Sequence, residues 1–378
     1  MTPTSRRRFL GALAAGAAAA TAPASALAVS PRGSVTDTAP DATRTLYLGG
    51  YGSGVTIAGY DPASGQITAG STVPGVVNPS FLALHPSGNT LYTVNEQQDG
   101  AVTAVSLSSG TPQVLGTQST GGAGPCHLSV HPSGKWLLSA NYNSGSVAVH
   151  PIASDGSLGG CTDLVTHSSP PPGPQGGPHA HQILTSPDGA HVLAVDLGTD
   201  AVYSYVLDTA AGRLTQVSYA SFPAGMGPRH LAFHPSGTFA YVACELGNAV
   251  VVCTYDPATG TLTPGQPQSS GADDDSNAPG EIVTTADGAF VFLSNRGANT
   301  VTRYAVEAQG TQLRLLDTVP TGGSWPRHLA LSPDDGLLFV SNQYAGTVTV
   351  FHVDTATGAL TSAGEPFPQP SVACALPL

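Results

Sequence analysis

Positive charge is scarce in this 378-residue sequence, which carries 12 Lys and Arg against 24 Asp and Glu and has a single lysine, Lys135. The formal net charge is −12 at pH 7. A strongly acidic chain is repelled by phosphate backbones and by anionic lipid surfaces. Nucleic acid and anionic membranes are therefore not expected as partners, and any arginine near a predicted pocket becomes a candidate for function.

Long apolar runs are also lacking beyond the N-terminus, where an export signal is expected. Residues 5–10, SRRRFL, resemble a twin-arginine motif, an Ala/Gly-rich run follows, and residues 26–28, ALA, have the form of a cleavage site. The Ala/Gly-rich run is shorter than the roughly 20 apolar residues that a transmembrane helix needs. We predict cleavage after residue 28, a flexible leader over residues 29–42, an extracellular or cell-envelope location and no membrane attachment afterwards.

The five cysteines show no CxxC spacing, so the sequence predicts no zinc or iron–sulfur site and no cofactor. An exported chain can form disulfides. Cys244 and Cys253 flank a predicted hairpin and are candidates for pairing, with small buried thiols as the alternative.

Glycine and proline, by contrast, are abundant, with 46 and 32 residues. Because the chain is 40% hydrophobic and only 10% charged, this composition favours many short strands over disorder. Six segments repeat an apolar run, a Pro-Ser-Gly or related turn and a second apolar run, and their turns recur every 46 to 55 residues. They begin at Phe81, His127, Gln182, His230, Glu281 and His328. Four antiparallel strands at this period are typical of a β-propeller blade.

A seventh unit is split between the two ends of the chain. The stretch RTLYLGGYGSGVTIAGYD, from Arg44, lacks a first strand, and the terminal run SVACALPL, from Ser371, can supply it. A blade built from both ends closes the ring and protects its edge strands. We predict an all-β, seven-bladed propeller with four strands per blade in one domain, residues 43–378, and expect a monomer.

Polar residues cluster at one rim of the predicted ring, where first strands begin and second strands end. Strand starts give Cys126, His127, His179, His181, Arg229, His230, Arg327 and His328. Strand ends give Asn95, Glu96, Asn141, Tyr142, Asp196, Glu245, Asn295, Arg296, Asn342 and Gln343. Three of the nine Lys and Arg that remain after signal removal lie here, and their convergence favours a binding site over strand-end pairing between blades. His85, His131 and His234, beside the turn prolines at the opposite face, are expected to be structural.

Two loops are expected to cross the same face. Residues 166–182, THSSPPPGPQGGPHAHQ, are proline-rich and favour a stiff wall or lid over the channel mouth. Residues 271–277, GADDDSN, lack the spacing of a calcium loop and are interpreted as solvated.

At these residues the sequence resembles the seven-bladed propeller lactonases, which include propeller-type 6-phosphogluconolactonase and the fungal carboxymuconate lactonising enzyme. The stretches that carry the resemblance are GPCHLSVHPSG, QGGPHAHQ, VDLGTD, GPRHLAFHPSGTFAYVACEL, LSNRG and WPRHLALSPDDG, and the likeness extends over residues 43–378. It implies that His181, Arg229, Glu245 and Arg296 occupy the active-site positions of the family. The substitution of Ala286 for a turn proline is a modest departure outside the predicted site.

The expected activity is hydrolysis of a lactone without a cofactor. Glu245 and His181 are the candidates for proton transfer, and Arg229 is the candidate for stabilising the oxyanion. Arg296 and Arg327 suit an anionic group on the substrate, which points to a phosphorylated, sugar-derived or carboxylated lactone. The substrate-binding candidates are His127, Asn141, Tyr142, Gln175, His179, Asp196, Arg327 and Gln343. Neither a serine nucleophile elbow nor a metal site is expected.

Two alternatives remain open from the sequence. One is a lactone-forming cyclase or isomerase that uses the same groups, and the other is an exported propeller that only binds a ligand or partner. A cavity of a few hundred cubic ångströms between His181, Arg229, Glu245 and Arg296 is expected for an enzyme. Side chains paired off without a cavity would favour the binding module.

Overall fold

The computed structural model describes residues 43–168, 176–274 and 276–378. Over these residues the chain is almost entirely β-strand, with one short 3₁₀ turn at Ala308–Gly310. None of its described helical segments is long and apolar enough to cross a membrane. The predicted signal (1–28) and leader (29–42) lie outside the described residues.

In the described part of the chain the strands form seven antiparallel sheets, which confirms the predicted seven-bladed propeller. Blade 1 contains β29 (Val372–Pro377), β1 (Arg44–Gly50), β2 (Ser53–Tyr60) and β3 (Ile67–Val77). Blade 2 contains β4 (Leu82–Leu84), β5 (Thr90–Asn95), β6 (Ala101–Ser106) and β7 (Gln113–Ser119). Blade 3 contains β8 (Pro125–Val130), β9 (Trp136–Asn141), β10 (Ser146–Pro151) and β11 (Asp163–Thr166).

The remaining blades follow the same order from the innermost strand outward. Blade 4 contains β12 (Ala180–Thr185), β13 (Val192–Asp196), β14 (Ala201–Asp208) and β15 (Arg213–Ser221). Blade 5 contains β16 (Pro228–Phe233), β17 (Phe239–Cys244), β18 (Ala249–Asp256) and β19 (Thr261–Ser269). Blade 6 contains β20 (Pro279–Thr284), β21 (Phe290–Asn295), β22 (Thr300–Glu307) and β23 (Gln312–Pro320). Blade 7 contains β24 (Pro326–Leu331), β25 (Leu337–Asn342), β26 (Thr347–Val353), β27 (Leu360–Ser362) and the short β28 (Phe367–Pro368).

The two ends of the chain meet in blade 1, as the split repeat predicts. Strand β29 pairs antiparallel with β1, so that Leu46 lies opposite Pro377 and Leu48 opposite Ala375. The innermost strand of each blade contacts that of the next, and β24 of blade 7 contacts β29. The C-terminal strand therefore closes the ring and supplies the inner strand that the N-terminal unit lacks.

The turn between the first and second strands shows why the repeat carries histidine, serine and glycine. In blade 5 the backbone N–H of Ser236 donates to Nδ1 of His234, and the N–H of Gly237 donates to the His234 carbonyl. Gly237 has a φ of 70°, a left-handed conformation that glycine adopts without strain. His85 and His131 accept the same bond from the serine two residues on, so the expected structural role of the turn histidines is confirmed.

The apolar core lies between neighbouring blades. Each blade buries the alternating side chains of its middle strands against the next, as in the cluster that joins Val195 and Val202 of blade 4 to Val242 and Val251 of blade 5. The five cysteines are free thiols, and Cys244 and Cys253 are buried among these apolar residues. In this structure Cys244 and Cys253 are therefore small buried thiols and are not joined by a disulfide.

Contacts between blades 7 and 1 are expected to carry a large share of the stability. Phe339 of β25 is fully buried and its ring packs edge-on against Tyr60 of β2, with centroids 5.0 Å apart. Replacement by alanine leaves a cavity at the closure, so Phe339→Ala should lower the free energy of unfolding by about 3–5 kcal/mol in urea titrations. The matched control, Leu315→Ala, removes a side chain that is 40% exposed and should cost less than about 0.5 kcal/mol. Equal losses in the two variants would contradict this account of ring closure.

Candidate active site

The inner strands carry an extra residue where they enter the channel mouth. In β8, β12, β16 and β24 the register with the adjacent strand shifts by one residue, leaving Cys126, His181, Arg229 and Arg327 unpaired in the ladder. A bulge of this kind redirects a side chain away from the regular alternation. All four residues line one central cavity, so the bulges are the local reason that they converge.

The residue that directly follows the second strand of a blade meets these side chains. Glu245 follows β17 and ion-pairs with Arg229, whereas Tyr142 follows β9 and places its ring 5.5 Å from that of His181. Arg296 occupies the same position after β21. The predicted neighbourhood of His181, Arg229, Glu245 and Arg296 is therefore present in the structure.

Glu245 links two arginines. Its Oε2 lies 2.6 Å from Nη2 of Arg296 and 3.3 Å from Nε of Arg229. The side chain of Glu245 is 20% exposed, whereas those of Arg229 and Arg296 are 2% and 5% exposed. An unpaired guanidinium at such depth is costly, so the carboxylate compensates two buried charges at once.

Arg296 is held in place on several sides. Its Nε donates to the carbonyl of Ala278 at 2.9 Å and its Nη2 donates to that of Pro279 at 3.0 Å. Its guanidinium also lies 5.4 Å from the ring of Trp325, which is itself stacked on Tyr344. Arg296 therefore orients Glu245, and these contacts engage three of its five N–H donors, which leaves those of Nη1 for the substrate anion that the sequence assigned to it.

Arg229 keeps donors without acceptors. Among the described residues neither its Nε nor its Nη1 has a hydrogen-bond partner, although both atoms are buried. Burial lowers the pKa of this guanidinium to about 9, and the charges of Arg296 and Arg327 act in the same direction. A buried, charged and incompletely satisfied donor is suited to an oxygen that gains negative charge during a reaction.

The two candidate proton acceptors have opposite surroundings. Burial raises the pKa of Glu245, but the charges of Arg296 and Arg229 outweigh it and hold that pKa below its usual value. Burial lowers the pKa of His181 well below its usual value, and the charge of Arg229 lowers it further. At neutral pH Glu245 is thus ionised and His181 is neutral, so both are in the form that accepts a proton.

Arg327 also lines the central cavity and is partly exposed. Its guanidinium is 5.6 Å from the ring of Tyr51, whose hydroxyl donates to both oxygens of Glu96 at 3.0 and 3.1 Å. Burial opposes its charge, but Tyr51 and Glu96 raise the pKa of Arg327 above its usual value. Within the described residues Arg327 forms no ion pair, so its charge is available to a ligand.

The central cavity is much smaller than expected. Its volume is about 10 Å³, room for about one water molecule, so the predicted cavity of a few hundred cubic ångströms is wrong for this structure. The cause is that the guanidinium and imidazole groups fill the channel, while Glu245 and Arg296 pair outside the cavity lining. Larger hollows of about 430 and 570 Å³ lie elsewhere, against Gly65 and Phe367 and against His85 and Trp136, away from these charges. The geometry alone therefore does not separate an enzyme from a binding propeller.

Two predicted substrate-binding residues form hydrogen bonds with neighbouring segments of the protein. Asn141 is fully buried as the last residue of β9, and its Nδ2 donates to Oγ of Ser146. Asp196, the last residue of β13, accepts from the backbone N–H groups of His179, Gly198 and Thr199, and His167 lies 2.6 Å from its other oxygen. Because successive side chains of a strand point to opposite faces of the sheet, the last residue of the strand points away from the side taken by the next residue, which faces the mouth. This geometry supports a structural role for both.

The other predicted residues lie closer to the mouth. His179 stacks on Tyr142, with ring centroids 4.5 Å apart, and its Nδ1 lies 2.9 Å from the Tyr142 carbonyl. His127 packs against Phe81 at 4.1 Å, and Gln343 directly follows β25 with its Oε1 buried and without a partner among the described residues. The loop over residues 166–182 is described only at its two ends, and Gln175 lies outside the described residues, as does Asp275 of the 271–277 loop. Substrate contact by these residues stays a prediction.

The sequence places His328 and Glu96 at the rim without a role, and it misses Glu281 and Tyr51 there. Glu281 and His328 line the central cavity beside His230, and Glu96 lies at the mouth with Tyr51. Glu281 stands at the first position of its repeat segment, where three of the other five segments have histidine. A charged residue at this position was the sequence signal that could have placed Glu281 in the site. Tyr51 directly follows β1, the second strand of blade 1, just as Glu245 directly follows β17 in blade 5. The equivalence was hidden in the sequence because blade 1 is split between the two ends of the chain. In the described part of the chain, no three His, Cys, Asp or Glu side chains are grouped to hold a metal ion.

Comparisons with known proteins identify the family. The chain matches the family model described as "Lactonase, 7-bladed beta-propeller" over residues 45–377. It is 34% identical over 291 residues to the 6-phosphogluconolactonase of Bacillus subtilis, which covers 75% of this chain and 82% of that protein. The solved structure of the periplasmic gluconolactonase of Pseudomonas aeruginosa is similar, with a TM-score of 0.83 and 29% identity over 89% of this chain and 99% of that one. A putative 6-phosphogluconolactonase from Bacteroides fragilis gives the same score and identity over 90% and 99%.

The family match covers residues 45–377 and so spans the propeller that contains the arginine, glutamate and histidine cluster. The chain therefore belongs to the seven-bladed β-propeller lactonase family, and it is a lactonase, an enzyme that hydrolyses a cyclic ester.

Proposed function

We propose that this lactonase opens a sugar-derived or carboxylated lactone by general acid/base catalysis at the channel mouth. The observation that carries the proposal is the buried Arg229, which keeps an unpartnered Nη1 beside two proton acceptors, Glu245 and His181. The names of the relatives, 6-phosphogluconolactonase and periplasmic gluconolactonase, support a sugar lactone. Because the central cavity holds only about one water molecule, the lactone ring binds at the rim outside it, with its carbonyl toward Arg229.

The reaction needs three contributions from the protein. A base removes a proton from the attacking water, a cation stabilises the oxyanion on the former carbonyl, and an acid returns a proton to the ring oxygen as its bond to the carbonyl carbon breaks. Arg229 serves as the cation. Glu245 and His181 both begin as proton acceptors, so the group that takes the proton from water can return it to the leaving oxygen.

Arg327 is the side chain best placed to select a substrate with a negative group. It is partly exposed and forms no ion pair among the described residues, whereas Arg296 is engaged by Glu245 and by two backbone carbonyls. The export signal predicted at residues 1–28 favours a location outside the cytoplasm, where sugar phosphates are scarce. We therefore favour an unphosphorylated aldonolactone or a carboxylated lactone as the substrate.

Removal of either proton acceptor should abolish most of the activity without unfolding the protein. Glu245→Gln and His181→Gln are each expected to lower kcat/KM for gluconolactone by about 10²- to 10⁴-fold, measured above spontaneous hydrolysis. Glu307→Gln, at an exposed glutamate that pairs with Arg314 on the outer strands, is the control and should retain activity. Full activity in both site variants would contradict the proposal.

The stability contributed by Glu245 should depend on pH. Its pKa in the folded state lies below the usual 4.5, so its stabilising effect is complete above that value and is lost as the pH falls through the lower folded pKa. Glu245→Gln should therefore cost about 2 kcal/mol at pH 7, because two buried guanidinium groups lose their counter-charge. Urea titrations should show the difference from wild type shrinking below pH 4.5. A difference that stays constant down to pH 3 would show that the carboxylate charge is not what stabilises the pair.

The role of Arg327 can be tested with a pair of substrates. Arg327→Leu should raise KM at least about tenfold for a lactone that bears a carboxylate or phosphate, and should change KM for neutral gluconolactone less than about twofold. Comparison of gluconolactone with its 6-phosphate in the wild type identifies which class is preferred. An equal effect of Arg327→Leu on both substrates would contradict recognition of an anionic group by this residue.

A further inference from the structure

A buried glutamate and histidine that the proposed chemistry does not use lie in line with His181. His230 Nδ1 is 2.7 Å from Oε1 of Glu281, and His230 Nε2 is 3.1 Å from Nδ1 of His181. All three side chains line the central cavity and come from three consecutive blades. We propose that Glu281 and His230 are positioning residues that hold the proton of His181 on Nδ1 and so leave its Nε2 as the acceptor of the proton from water. This inference rests on the proposed role of His181 in lactone hydrolysis.

The hydrogen-bond directions between Glu281, His230 and His181 follow when they are worked out from Glu281 onward. Oε1 of Glu281 accepts from the backbone N–H of Ile282 and faces Nδ1 of His230, so that nitrogen carries the proton. A neutral His230 then has its lone pair on Nε2. The contact of that nitrogen with His181 requires a proton on Nδ1 of His181, and a neutral ring with a proton there has its lone pair on Nε2.

A second histidine, His328, lies near Glu281. The N–H of Ala375 donates to Nδ1 of His328 at 3.5 Å, and Nε2 of that ring lies 3.8 Å from Sγ of Cys374 and 3.6 Å from Oε2 of Glu281, an ion-pair distance that is too long for a hydrogen bond. Within the described residues Oε2 has no hydrogen-bond partner, so the donors to the carboxylate are His230 and the N–H of Ile282, both at Oε1. This arrangement favours the acceptor role of Glu281 on which the order of protons depends.

The electrostatic surroundings keep both imidazoles neutral before the reaction. Burial lowers the pKa of His230 well below its usual value, and the charges of Arg229, Arg327 and Arg296 lower it further. The same causes act on His181. The rings of His127, at 5.3 Å, and Phe81, at 6.3 Å, also pack against His230, and burial lowers the pKa of His127 as well. Each neutral ring carries one N–H proton, so the hydrogen bonds determine which of its two nitrogens is protonated.

The proton balance closes without an external reactant. Nε2 of His181 takes a proton from water as the water oxygen bonds to the carbonyl carbon, and the carbonyl electron pair moves to the oxygen beside Arg229. The resulting imidazolium strengthens its Nδ1–H bond to His230, which is polarised by Glu281. When the ring C–O bond breaks, the proton on Nε2 passes to the departing oxygen and His181 returns to its neutral form.

The tautomer can be read directly in the free enzyme. Long-range ¹⁵N–¹H correlation spectra of ¹⁵N-histidine-labelled full-length protein distinguish protonated from unprotonated ring nitrogens, and the signals lost in His181→Gln identify residue 181. We expect Nδ1 of His181 to be protonated and Nε2 unprotonated in the wild type. A proton on Nε2 of His181 in the wild type would overturn the proposal without any reference to activity.

Variants then test the two positioning residues. His230→Phe removes the acceptor for Nδ1–H of His181, and Glu281→Leu removes the group that orients His230. In each, the His181 signals should shift toward the other tautomer, and kcat should fall at least about tenfold while KM changes less than about twofold. The control is His191→Phe, at a histidine that is also buried but bonds to Tyr255, and it should leave both readouts unchanged.

The outcomes separate the two proposals. Unchanged His181 signals or unchanged kcat in both His230→Phe and Glu281→Leu would overturn the positioning role. Full activity of His181→Gln would overturn the proposed catalytic role of His181, whatever tautomer the spectra show.

Discussion

The pairing of Glu245 with two buried arginines is the interaction on which the site depends. Arg229 and Arg296 lie in a largely buried setting where an unpaired charge would be expensive, and one carboxylate compensates both. Because Glu245 is shared, neither arginine is fully neutralised, and Arg229 keeps donors without acceptors. The same arrangement that stabilises the folded ring therefore leaves positive potential beside His181, which suits the carbonyl oxygen that gains charge in the proposed reaction.

The propeller fold holds this arrangement by two local devices. Bulges near the starts of the inner strands turn Arg229 and His181 toward the channel, and strand closure by β29 keeps the seven inner strands in one ring. In blades 4 and 5 the second strand ends beside the bulge of the first strand. In blade 5 this places Glu245, which follows the second strand, next to Arg229. The proposed catalytic groups thus come from several blades, although each is placed by the geometry of a single hairpin.

Much of this was predictable from the sequence, and the physical reasons for the rest are clear. Repeats and turns predict the blades, and the strand start and end predict that Arg229 lies beside Glu245. The facing direction of Asp196 was not predictable, because a shift of one residue reverses the side of a strand. The small cavity was not predictable either, since it depends on how long side chains pack in the channel. The contact of Glu281 with His230 depends on the curvature that brings neighbouring inner strands together.

The central claim is that a lactone carbonyl is bound at the channel mouth between Arg229 and His181. A crystal structure of the protein with the lactam analogue of gluconolactone, which the enzyme cannot open by breaking a ring C–O bond, tests it most directly. The account predicts the lactam carbonyl oxygen within hydrogen-bond distance of Arg229 and its carbonyl carbon on the Nε2 side of His181. Binding of the lactam in another hollow of the propeller, with Arg229 and His181 free of ligand, would contradict it.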